Sequence, residues 1–97
     1  MSEAPYGLVL TPPAIRAVRS AVPEAVAAAV IEFLTGALVE NPHRVGKQLR
    51  GDLAGIGSAR RGTYRVLYRI NEYRINEVEH DVVVLRIDHR RDAYRPA

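Results

Sequence analysis

From residue 63 to residue 71 the chain reads TYRVLYRIN, a two-residue alternation that follows directly on a glycine. No other stretch limits the fold as much. Successive side chains on a strand point to opposite faces, so Tyr64, Val66, Tyr68 and Ile70 share one face and Arg65, Leu67 and Arg69 the other. An apolar sheet face of this kind needs a second layer to cover it. Gly62 marks a hairpin turn back to a short strand over residues 57–61, and DVVVLRID at residues 81–88 supplies a further strand. Three consecutive strands predict an antiparallel meander.

The first half of the chain provides the covering layer. YGLVLT at residues 6–11 is a short apolar run stopped by Pro12 and Pro13, and predicts a first strand. A short helix follows over residues 14–21 with Pro13 in its first turn, and Pro23 opens a second helix that runs to about residue 40. In this helix Val26, Val30, Phe33, Leu34, Ala37 and Leu38 recur at spacings of three and four, while Gly36 weakens the last turn. NPHRVGKQLRGDLAGIG, residues 41–57, reads as an ordered connection with a short turn of helix. The order is β-α-α-β-β-β, an α+β fold with a helical hairpin on a mainly antiparallel sheet. Ninety-seven residues suffice for one modest core, so residues 1–97 are expected to form a single domain.

One irregularity lies between the last two strands, where YRINE at residues 68–72 is repeated at once as residues 73–77. An odd insertion would place Ile75 on the face opposite Ile70 unless a bulge or loop absorbs it. One copy is expected in the strand and the other in a projecting, mobile hairpin tip; a slip of register between the copies is the alternative.

The net charge of +3 divides into −2 over residues 1–40 and +5 over the remainder. The basic surface therefore belongs to the second half, where arginine dominates and Lys47 is the single lysine. Planar guanidinium donors suit phosphate, although a GC-rich genome yields the same bias. The absence of cysteine excludes disulfides, thiol nucleophiles and cysteine-based zinc sites, and three scattered histidines make a poor metal cluster. There is no Walker loop, dinucleotide fingerprint, serine elbow or zincin helix. Any site is expected to work by side chains alone, without metal or cofactor. MSEAPYG does not open like a secretory signal, and the longest uncharged apolar run is far below the roughly 20 residues of a membrane span, so a cytoplasmic protein is expected.

A sheet face lined by Arg60, Arg65, Arg86 and Arg90, with Tyr94 nearby, would receive a polyphosphate. A solvated face with cross-strand ion pairs, each worth about 0.2–1 kcal/mol, explains the same pattern. HRRDAYRP at residues 89–96 adds weight to the first reading, because it lies just beyond a strand, where a scaffold presents side chains to a ligand. Arginine can neutralise charge in a phosphoryl transition state, and tyrosine can bond to a hydroxyl. For His89 a structural role and a catalytic one are equally compatible with its position.

Taken together, NPHRVGKQLRG, ARRGTYRVLYRI and VVVLRIDHRRDAYR resemble the RelE branch of the RelE/ParE toxins of bacterial toxin–antitoxin modules. The resemblance implies the RelE-like microbial RNase fold and a ribosome-dependent endoribonuclease that cuts translated mRNA in the A site, by attack of a ribose 2′-hydroxyl on the adjacent phosphate. By that resemblance Arg65 and Arg90 hold the scissile phosphate, Tyr94 stacks on the nucleotide and assists proton transfer, Arg60 matches a basic position, and His89 lies where some relatives place a catalytic histidine. Lys47, Arg50, Arg61, Arg86 and Arg91 would extend the RNA-binding surface. It also implies a RelB-like cognate antitoxin, ribosome and mRNA as partners, and operator DNA only through the antitoxin complex. The family often carries lysines before the turn where this chain has GIGSA at residues 55–59, which points to slow or altered cleavage and leaves the general acid unassigned. A ParE-like DNA gyrase inhibitor and a weakly catalytic RNA- or ribosome-binding toxin are the competing readings.

Overall fold

The computed structural model describes residues 6–72 and 80–89. Strand β1 (Gly7–Leu10) ends at Thr11, which turns the chain into helix α1 (Pro12–Arg16). Pro12 and Pro13 sit in the first turn, where a missing N–H leaves no partner unsatisfied. The Thr11 hydroxyl accepts from the Ala14 amide at 3.4 Å and donates to the Leu85 carbonyl at 2.8 Å. The helix then widens into a π-helical segment at Ala17–Ala21.

Helix α2 (Glu24–Phe33) likewise continues into a π-helical segment at Leu34–Leu38, around Gly36. The widened turn holds more residues, so the apolar stripe drifts in phase beyond it. Val30, Phe33, Leu34 and Leu38 are buried as the spacing predicts, whereas Ala37 is exposed and Ala27 takes a place in the core. No described helix is long and apolar enough to cross a membrane.

Five strands form one sheet in the order β1-β5-β4-β3-β2, with β2 at Lys47–Gln48, β3 at Gly57–Arg61, β4 at Tyr64–Glu72 and β5 at His80–His89. β1 runs parallel to β5, and the other neighbours are antiparallel. The helices pack on one face, where Ala59, Val66, Tyr68, Val82, Val84 and Ile87 meet Ala14, Ala17, Val30, Phe33 and Leu34. The predicted faces of β4 hold: Val66 and Tyr68 are buried in this core, with Tyr64 and Ile70 packed against its rim. The first copy of YRINE lies within β4, while the second, residues 73–77, falls outside the described residues.

The connection from Asn41 to Gly57 contains more order than its composition suggests. It carries the edge strand β2, which the sequence does not predict, and a 3-10 turn at Gly51–Leu53. Tyr68 fixes it in place. Its hydroxyl donates to the Pro42 carbonyl at 3.0 Å, and Gly46 and Gly57 press against the ring tip. A Cβ on Gly57 would lie 2.6 Å from the ring carbon that bears the hydroxyl, so only glycine fits there.

Strands β4 and β5 are out of simple register at one point. Leu67 pairs with Arg86 and Tyr68 with Val84, which leaves Leu85 as an extra residue in a β-bulge. Thr11 ties this bulge to the start of α1, bonding the Leu85 carbonyl through its hydroxyl and the Val84 carbonyl through its amide. Substituting Thr11 with valine keeps the shape but removes the cap and the bond to the bulge. Denaturant unfolding is expected to show a loss of about 1–3 kcal/mol without a change in slope. A loss below a few tenths of a kcal/mol would mean that water replaces the hydroxyl at no penalty.

Candidate nucleic-acid interface

The face of the sheet away from the helices is organised in cross-strand rows. Arg60 of β3, Arg65 of β4 and Asp88 of β5 are directly opposite one another, and the next row holds Lys47, Ser58, Leu67 and Arg86. The bulge creates this arrangement. Strict alternation from the buried Val82 and Val84 would turn Arg86 and Asp88 towards the core. The additional residue at Leu85 instead buries Ile87 and brings both charged side chains onto the open face.

This face is not a fully hydrated surface. Ser58 and Leu67 are buried in its floor, and the Nε of Arg65 is buried with no hydrogen-bond partner among the described residues. Arg86 and Asp88 form an ion pair, with 2.7 Å between a guanidinium nitrogen and Oδ2. That contact is close but is not aligned as a hydrogen bond, so the buried Oδ2 also lacks an aligned donor. A buried donor without a partner carries a penalty of about 1–3 kcal/mol, which an oxyanion entering the row would relieve. Arg60 is exposed beside Arg65, Lys47 is exposed at the sheet edge, and Arg50 is exposed in the connection that follows β2.

Several of the predicted residues do not join this cluster. Arg61 alternates to the helix side, where its guanidinium lies 3.7 Å from the centre of the Phe33 ring and donates to the Arg60 carbonyl. Stacking on Phe33 and the bond to the Arg60 carbonyl thus hold this cation on the side away from the arginine row. His89 stands across from Tyr64, also on the helix side, with ring centroids 5.4 Å apart in an edge-to-face contact. Arg69, which the sequence reading assigned no role, is exposed on the open face, opposite Val83 and away from the Arg60–Arg65 row. Arg90, Arg91 and Tyr94 lie outside the described residues. Asp88 is the residue that sequence reasoning missed, and its only signal was an alternation that fails after Val84.

A family model described as the ParE toxin of the type II toxin–antitoxin system parDE matches residues 8–94. Toxin RelG of Mycobacterium tuberculosis is 51% identical over 92 residues, covering 94% of this chain and 98% of that protein. Toxin RelE of the same organism is 45% identical over 91 residues, covering 94% of this chain and 88% of the relative. Among solved structures, the toxin–antitoxin complex RelBE2 of M. tuberculosis contains a chain 49% identical, with a TM-score of 0.77 over 89% of this chain and 99% of that one. A family model over most of the sequence, two relatives near half identity and a shared fold agree: this chain belongs to the RelE/ParE superfamily of toxins from type II toxin–antitoxin systems.

Proposed function

We propose that this toxin is a ribosome-dependent mRNA endoribonuclease, built as a single domain over residues 1–97 and active in the cytoplasm. The observation that carries the reading is Arg65, a guanidinium in the middle of the open face whose Nε is buried and has no hydrogen-bond partner among the described residues. In the proposed reaction a ribose 2′-oxygen attacks the adjacent phosphorus as its proton leaves, and the bond to the 5′-oxygen breaks. The products are a 2′,3′-cyclic phosphate and a 5′-hydroxyl that has gained a proton. Arg65 and Arg60 hold the phosphate and offset the charge that grows on its oxygens. Arginine does not give up a proton at neutral pH, so neither of them protonates the leaving oxygen. Tyr94 and Arg90 complete the site in this proposal, and Lys47 and Arg50 guide the flanking strand.

A RelB-like antitoxin that covers the arginine row would keep the toxin silent, and operator DNA would be met through the antitoxin complex. The RelBE2 toxin–antitoxin complex supports the antitoxin as a partner. The family model, described as a ParE toxin, favours a second reading in which the same fold poisons DNA gyrase. Inducing the chain in cells and mapping mRNA ends by primer extension separates the two. Cuts inside translated codons are expected, whereas intact mRNA together with DNA breaks would decide for gyrase.

A further inference from the structure

An acid at the end of a phosphate-binding row opposes the ligand unless its charge is committed elsewhere. Asp88 lies directly across from Arg65, yet its close ion pair is with Arg86, its neighbour two residues away on the same strand and face. The carboxylate is the more covered partner, 22% exposed against 39% for Arg86. Arg65 Nε remains without a hydrogen bond although the carboxylate is opposite it. The charge of Asp88 is thus directed to Arg86, and the charge of Arg65 is left for a ligand. The bulge at Leu85 delivers both members of the pair to this face together.

We propose that Asp88 is a built-in counter-ion that withholds Arg86 from phosphate, so that the open face engages RNA through Arg60 and Arg65. Asp88 acts here as a positioning residue, and the proposal rests on the reading of this face as an RNA site. Three arginines in these two adjacent rows with no anion among them would attract any polyanion. With Asp88 in place, part of that attraction is cancelled within the site, which favours a phosphate presented in the right geometry over nucleic acid in general.

The test is binding of a labelled oligouridine RNA to the purified chain at a series of salt concentrations. Each additional cation that meets a phosphate of single-stranded RNA steepens the dependence of log K on log salt by about 0.7. Asp88→Asn frees Arg86, so tighter binding and a slope steeper by about 0.7 are expected, while Asp88→Glu keeps the pair and the wild-type slope. Arg86→Gln combined with Asp88→Asn removes the pair as a unit and should return the slope to that of the wild type. An unchanged slope in Asp88→Asn overturns the proposal. So does a double variant with a slope shallower than wild type, because Arg86 would then be a phosphate contact in its own right. Cleavage in a translating extract is read in parallel: a wild-type chain that shows these salt responses but leaves mRNA intact counts against the ribonuclease reading alone.

Discussion

Replacing Arg65 with alanine is expected to lower translation-dependent mRNA cleavage by about 100- to 1,000-fold, the usual loss when one donor to a developing oxyanion is removed. Stability should be retained or rise. The side chain is on the face away from the helices, outside the apolar core, and its Nε gains nothing from a partner in the free protein. Truncation therefore removes an unsatisfied donor without opening a cavity among packed groups. Arg65→Lys is expected to recover only a small part of the activity, because a point charge cannot span two phosphate oxygens as a planar fork does. The measurement is primer extension on mRNA from a translating extract, with thermal unfolding of the same preparations as the control. Cleavage within a few-fold of wild type by a folded Arg65→Ala chain would remove Arg65 from the site.

The second large effect is one of stability. Tyr68→Ala should cost about 3–5 kcal/mol, since it vacates a fully buried ring and releases the connection that the ring holds. Against a total of about 5–15 kcal/mol this is enough to unfold much of the population. Tyr68→Phe keeps the ring but leaves the Pro42 carbonyl without its donor, for a loss of about 1–3 kcal/mol. Burial pushes the phenol above its ordinary value of 10.0. Its contribution is present in full below that value. At higher pH the unfolded chain loses the proton first, so stability falls until the folded phenol ionises as well. Denaturant unfolding followed from neutral pH into the alkaline range should show a smaller decline for Tyr68→Phe than for the wild type. Equal declines would show that Tyr68 is not the group responsible.

Strand β4 was readable because its two faces differ so sharply in chemistry: TYRVLYRI can be laid on a sheet in one way only. The helices were legible for a related reason, although the widened turn at Leu34–Leu38 moved Ala37 out of the seam that its spacing assigned to it. Two parts were hidden. The edge strand at Lys47–Gln48 is two residues long and carries no apolar alternation, so its existence depends on pairing with Gly57 and Ser58. The bulge is tied to Thr11, more than seventy residues away in the chain, and is marked by no local sequence pattern, and without it the positions of Arg86 and Asp88 relative to Arg65 do not follow. Arg61 illustrates the same limit. Its neighbour Arg60 has the same chemistry, and only the register of the hairpin and the position of Phe33 separate their roles.

The strand order carries a consequence for how such a protein is made. β5, the last of the described strands to be synthesised, lies inside the sheet between β1 and β4. A growing chain can form the β3–β4 hairpin and the two helices early, but β1 has no partner and the row of Arg60, Arg65 and Asp88 has no third member until β5 arrives. Contacts this distant along the chain form late, since the loop that they close must be ordered first. Arg60 and Arg65 therefore stand side by side in the β3–β4 hairpin before the sheet is complete, and their row gains its acidic member, Asp88, only when β5 pairs with β4.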